Sequence, residues 1–252
     1  MLQLNILLIL AFLFFIGSLF GWVLELLYRR FMSKNNPERK WINPGFCVGP
    51  YLPLYGSGLC ILYLIAGIRK HIDLGNNIAD TVVLLLAMAP AMTVIEYIAG
   101  IVSFKYYHVR LWDYSNEWGN IQGIICPKFS LCWGLLGVAY YYVVHPNILD
   151  ALDWLSHNLA MSFFIGVFYG VLIIDLVYST HLIAKLKTLS DEYEVVIHYE
   201  ELKGRVRKYQ AEQKSKYHFF QPFRSDSTLR EHIKMMKQSQ HDKRTKRKNL
   251  YK

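Results

Sequence analysis

Five long apolar runs govern what this chain can fold into. They cover residues 4–27, 51–68, 81–104, 128–145 and 159–183. A helix needs roughly 20 mostly apolar residues to cross about 30 Å of hydrocarbon. The first, third and fifth runs meet that length, and the second and fourth fall just short of it. The runs are apolar on all sides, as lipid-facing helices require, rather than striped as in a soluble core. The reading is an all-α, polytopic membrane protein with five transmembrane helices. The first run has no basic leader and no small-residue cleavage site, and it ends in Tyr28-Arg29-Arg30. It reads as a retained anchor.

Lysine and arginine set the expected sidedness. The connection after the first run carries Arg29, Arg30, Lys34, Arg39 and Lys40, and the next carries Arg69 and Lys70. The third carries Lys105, Arg110 and Lys128, and the fourth carries none. Beyond residue 183 there are 18 basic and 9 acidic residues, whereas residues 1–183 hold 10 of each. The whole net charge of +9 therefore belongs to the tail. The positive-inside rule puts the N-terminus outside and the tail, with the first and third connections, in the cytoplasm.

This divides the chain into a five-helix membrane domain (1–183), a cytoplasmic helical extension (184–237) and a disordered basic tail (238–252). Leu182, Leu186, Leu189, Tyr193 and Val196 follow a 4-3-4-3 spacing. Tyr199, Leu202, Val206 and Tyr209 resume it after one slip. The extension reads as an amphipathic or short coiled-coil helix, packed under the protein's own loops or against a partner. Within the membrane domain, Gly45 and Gly56 stand as far apart as Gly123 and Gly134. That register aligns Tyr51 with Phe129 and Tyr55 with Trp133, which fits either a parallel repeat of 4–68 and 81–145 or the glycines, prolines and aromatics common at membrane entry points. Gly166 and Gly170 form a G-x-x-x-G pair, which favours close helix packing.

Three carboxylates, Glu25, Glu96 and Asp175, lie in apolar runs. Charge in hydrocarbon is costly, so such groups face the bundle interior. Glu96 and Asp175 each sit about eight residues, or roughly 12 Å, from the inner helix end. The three acids can line one cytoplasm-facing cavity suited to a cation, a proton or an amine, or can lock helices through hydrogen bonds. Asn43, Tyr51, Tyr55, Arg110, Trp112, Asp113 and Asn120 complete the candidate substrate or coupling site. The Arg110 fork suits a carboxylate or phosphate, or an internal pair with Asp113. Trp41, Trp112, Trp118 and Trp133 read as headgroup anchors.

No nucleotide-binding loop, nucleophile elbow, dinucleotide fingerprint or metal-ligand spacing occurs in the sequence, and the four cysteines form no C-x-x-C pair. The chain is expected to be no enzyme, with no cofactor and no metal. Its expected partners are the bilayer, anionic lipid at the basic tail, and a homo-oligomeric copy or separate subunit. The tail 241–252 also has a nucleic-acid-binding composition, but no nucleic-acid fold surrounds it, so nucleic acid is not an expected partner.

The segments NPGFCVGPYLPLYGSG (43–58), RLWDYS (110–115) and GIICPKFSLCWGLLG (123–137) resemble the signature segments of the family described as Putative ABC-transporter type IV. The resemblance spans roughly residues 15–150. It implies a permease subunit in the bacterial plasma membrane, served by a separate ATPase. The alternative reading is a structural or regulatory membrane protein that binds a partner through its helical tail.

Overall fold

The computed structural model describes residues 5–33, 36, 38–194, 196–212, 230, 231, 233–239 and 241. Most of the expected basic tail therefore lies outside the described residues. Seven helices are numbered here: α1 (Ile6–Phe31), α2 (Pro53–Ile68), α3 (Asn77–Tyr107), α4 (Pro127–Ala139), α5 (His145–His157), α6 (Met161–Tyr193) and α7 (Tyr199–Glu212). Two short strands, β1 (Val109–Arg110) and β2 (Ile197–His198), pair in parallel.

Three of these helices are long and apolar enough to cross a membrane: α1, α3 and α6, with 26, 31 and 33 residues. They coincide with the first, third and fifth apolar runs. The structure is mostly helical and fits a membrane protein. Helix α2 has 16 residues and α4 has 13, both shorter than a standard crossing.

The fourth run does not end where its hydropathy ends. After α4 the chain makes a π turn over Tyr140–Val144 and continues directly into α5. Pro146 explains the turn. Its ring cannot sit in a regular helix interior, because it lacks an N–H and crowds the carbonyl four residues back. The wider turn, closed by the His145 N–H on the Tyr140 carbonyl, takes up that misfit. Helix α5 then buries Ile148, Leu152 and Leu155 while Leu149 and Trp154 stay exposed. The polar residues of the expected connection 146–158 thus lie on an amphipathic helix.

The chain forms two compact units. The first comprises Met1–Ala99 and Tyr114–Asp175, and the second Gly100–Asp113 and Leu176–Lys252. In the first unit, Phe12 and Leu13 of α1, Leu62 of α2, Leu84 and Met88 of α3, and Trp133 of α4 belong to one apolar core. Within the single chain, Gly166 and Gly170 pack against no described neighbour: a Cβ at either would meet nothing within 4 Å.

The second unit corrects the expected continuous helical extension. Helix α6 stops at Tyr193, where Glu194 takes a left-handed φ of 53°. The chain turns, and the Ile197 N–H donates to the His108 carbonyl at 3.4 Å as β2 joins β1. The slip in the heptad spacing falls at this break. The seam residues Leu186, Leu189, Leu202 and Val206 are buried, as are Val109, Ile183, Ile197, Ile233 and Met236. Leu202→Ala is expected to cost about 2–4 kcal/mol, the usual range for a buried leucine truncation. Limited trypsin digestion should then cut within 184–212 earlier than in the parent chain.

Candidate functional site

Glu96 lies on α3 and is 3% exposed. The Trp133 indole N–H donates to Oε2 at 2.9 Å, and the Tyr114 hydroxyl donates to Oε1 at 3.0 Å. Among the described residues no lysine or arginine pairs with it. Trp133 arrives on α4, whose start is fixed by Pro127 in its first turn. A hydrogen bond of 3.0 Å from the Thr93 hydroxyl to Ser130 ties α4 to α3.

Tyr114 comes from the loop between β1 and α4. Asn120 folds that loop, accepting from the Gly123 N–H at 3.0 Å and donating to the Glu117 carbonyl at 2.9 Å. Gly119 and Gly123 take positive φ there, the region glycine enters without a Cβ clash. The Tyr114 N–H closes on the Gly123 carbonyl at 2.8 Å, and its ring stacks on Phe129 at 4.3 Å. Burial, reinforced by the charge on Glu96, pushes the Tyr114 hydroxyl above its usual range. It therefore remains a protonated donor at neutral pH.

Glu25 on α1 forms the matching half. Its Oε2 accepts from the Tyr55 hydroxyl at 3.0 Å, and its Oε1 pairs with Arg29 at 2.8 Å. The rings of Tyr55 and Trp133 meet at 5.3 Å. An unbroken series of contacts therefore runs Arg29, Glu25, Tyr55, Trp133, Glu96, Tyr114. It joins the two carboxylates through the neutral side chains of Tyr55 and Trp133.

Asp175 on α6 is held by a different set of donors. It accepts from the Val48 N–H at 3.0 Å, the Gly49 N–H at 2.7 Å and the Tyr51 hydroxyl. Asn43 shapes the same loop, accepting from the Trp22 indole at 2.6 Å and donating to the carbonyls of Cys47 and Val48 at 3.2 and 3.1 Å. The Leu52 N–H then bonds the Ser18 carbonyl at 3.0 Å, which sets the entry into α2. The structure thus brings Glu25, Tyr55 and Glu96 together, and separately Asn43, Tyr51 and Asp175.

Arg110, Trp112 and Asp113 belong to the second unit. Arg110 approaches Asp113 at 3.6 Å and lies over the Phe104 ring at 4.4 Å. Asp113 also meets His198 at 3.3 Å, so it bridges β1 and β2. Trp112 is half-buried. Among the described residues no three His, Cys, Asp or Glu side chains gather as a metal set.

The sequence reading missed Trp133 and Tyr114 as site residues. Trp133 is 8% exposed and faces Glu96, so it is not the expected headgroup anchor. The signal was available, because the glycine register aligns Trp133 with Tyr55 and each bonds the glutamate of its preceding long helix.

The sequence model of the family described as Putative ABC-transporter type IV matches residues 12–180. The chain belongs to this family. Comparison with curated proteins and with solved structures gave no match. The stretch matched to the ABC-transporter type IV family contains both glutamates, Asp175 and every donor named above. It ends before β2 and α7.

Proposed function

We propose that the chain is the membrane-embedded component of a transport system, with Glu25 and Glu96 as its substrate or coupling groups and a separate ATPase as its energy source. One observation carries this reading. Each of the three signature segments sends a donor to these two acids: Tyr55 from the first, Tyr114 from the second and Trp133 from the third. Glu96, a buried carboxylate met only by neutral donors among the described residues, can take up a proton or a small cation, with the Arg29-paired Glu25 one ring contact away, and intramembrane acids mark such pathways. Asn43, Tyr51, Asp175 and Asn120 hold the two loops that deliver these donors. Arg110, Trp112 and Asp113 are assigned to the cytoplasmic face. The proposed topology keeps five crossings, an outer N-terminus and a cytoplasmic C-terminus in a bacterial plasma membrane. Its support is the distribution of lysine and arginine. The lack of a nucleotide-binding motif in the sequence supports assigning ATP hydrolysis to a separate chain.

The rival reading, partner recruitment along the helical seam, has less support. Leu186, Leu189, Leu202 and Val206 are already buried in the single chain.

Affinity purification of the full chain from its native membranes is expected to recover an ATP-hydrolysing chain. In lipid, the ATPase rate of that assembly should fall at least about fivefold in Glu96→Gln, with the melting midpoint unchanged within about 3 °C. Recovery without any ATPase removes the transport reading. An unchanged rate in the variant removes Glu96 from the coupling site.

A further inference from the structure

The end of α1 carries a second feature, independent of the two glutamates. Four described basic residues cluster there. Arg29 is answered by Glu25 at 2.8 Å, and Lys40 by Glu38 at 2.5 Å. Arg39 donates to the Ser33 carbonyl at 3.4 Å. Arg30 differs. Its Nε is buried and finds no hydrogen-bond acceptor among the described residues. Its guanidinium lies 5.3 Å from the Trp41 ring and 5.9 Å from the Phe31 ring. Those two rings meet edge to face at 6.1 Å.

A guanidinium is a flat fork of N–H donors that matches the oxygens of a phosphate, and aromatic faces fix its plane. Leaving a donor unanswered is unfavourable, and Arg30 as a whole is only half-buried, so its fork is open to an acceptor from outside the described residues. The surroundings specify its source. Below Arg30, Phe20, Leu24, Leu27 and Phe31 recur at helical spacing along one face of α1, and all four are exposed. Trp41 is exposed beside them, as an indole at the level of lipid headgroups is. A phosphate held at the top of an apolar stripe is the chemistry of a phospholipid. The surplus of positive charge between residues 29 and 40 selects one with a net negative headgroup.

We propose that Arg30, Trp41 and Phe31 form a headgroup site for one anionic phospholipid, whose acyl chains lie along the Phe20–Leu24–Leu27–Phe31 face of α1. This site is separate from the basic tail, and the chain carries it whether or not the transport reading holds.

Native mass spectrometry of the full chain, released from micelles doped with phosphatidylglycerol or phosphatidylcholine, tests it. The parent chain should retain one phosphatidylglycerol with a preference of about fivefold over phosphatidylcholine, the factor expected for one basic residue at the surface. Arg30→Gln should lose that preference. Trp41→Leu, which keeps the charge but removes the ring, should weaken it. Arg39→Gln, an exposed neighbour of equal charge, should retain it. The proposal is overturned if the parent chain shows no preference, or if Arg39→Gln loses as much as Arg30→Gln, which would indicate diffuse attraction. It is also overturned if millimolar inorganic phosphate displaces the bound lipid, which would make this a free-phosphate site.

Discussion

Asp175→Ala is expected to destabilise the protein by about 3–5 kcal/mol, since it leaves three donors unanswered and each buried donor left so costs about 1–3 kcal/mol. The carboxylate accepts from two backbone N–H groups and one buried phenol, all within four residues of one loop. Alanine orphans all three, and in an apolar surrounding no water replaces them. Asp175→Asn should cost less, since its carbonyl oxygen still accepts while its amide faces the remaining donors. Tyr51→Phe should cost about 1 kcal/mol, because it removes one hydrogen bond and leaves the backbone pair in place. Thermal unfolding of the three variants in one detergent should therefore rank alanine, asparagine and phenylalanine in falling severity. Equal and small shifts would mean that the loop is held without Asp175. The effect should reach the glutamate pair as well. The loop leads directly into α2, and Tyr55 stands three residues after the Leu52 N–H that anchors it to α1.

How far this arrangement was legible in the sequence depends on the range of the interaction. The runs at 4–27, 81–104 and 159–183 became α1, α3 and α6 because length and hydropathy are local properties. The continuation through α5 was hidden by Pro146, Asp150 and Asp153, which read as a loop until Ile148, Leu152 and Leu155 are placed on one buried face. The break after α6 left a trace, the slip in the seam near Val196, but spacing alone does not reveal that Ile197 will pair with Val109. Glu25, Glu96 and Asp175 were identifiable from the cost of charge in hydrocarbon. Which donor meets which acid was not, because Tyr55, Trp133 and the Val48–Gly49 amides stand 30 to 127 residues away in the chain, and the glycine register aligns Tyr55 with Trp133 without pairing either to an acid. Hydropathy also misread Trp133: a tryptophan near the end of an apolar run looks interfacial until its N–H has a buried acceptor.

Gly56→Val is expected to prevent the close approach of α1 and α2 altogether. A Cβ built on Gly56 lies 2.2 Å from the Ser18 hydroxyl oxygen and 2.6 Å from the Phe14 carbonyl oxygen, and one built on Gly21 lies 2.1 Å from the Tyr55 Cβ. A backbone oxygen cannot swing aside as a side chain end can, so the helices must separate. Overpacking of one methyl group already costs about 1–3 kcal/mol where neighbours can adjust, and valine adds two more carbons. Separation would also draw Tyr55, the neighbour of Gly56, away from Glu25, so loss of fold and loss of the glutamate pairing should come together. The control lies in the other glycine pair. At Gly166 and Gly170 an added Cβ meets nothing within 4 Å, so alanine there should be neutral or stabilising by up to about 1 kcal/mol through helix propensity. A spacing of G-x-x-x-G occurs at Gly17–Gly21 as well as at Gly166–Gly170, and motif alone does not separate them. Melting midpoints should: a fall for Gly21→Ala and Gly56→Ala against no fall for Gly166→Ala places the close helix contact between α1 and α2, and the reverse order would remove the packing argument for Tyr55 and Glu25.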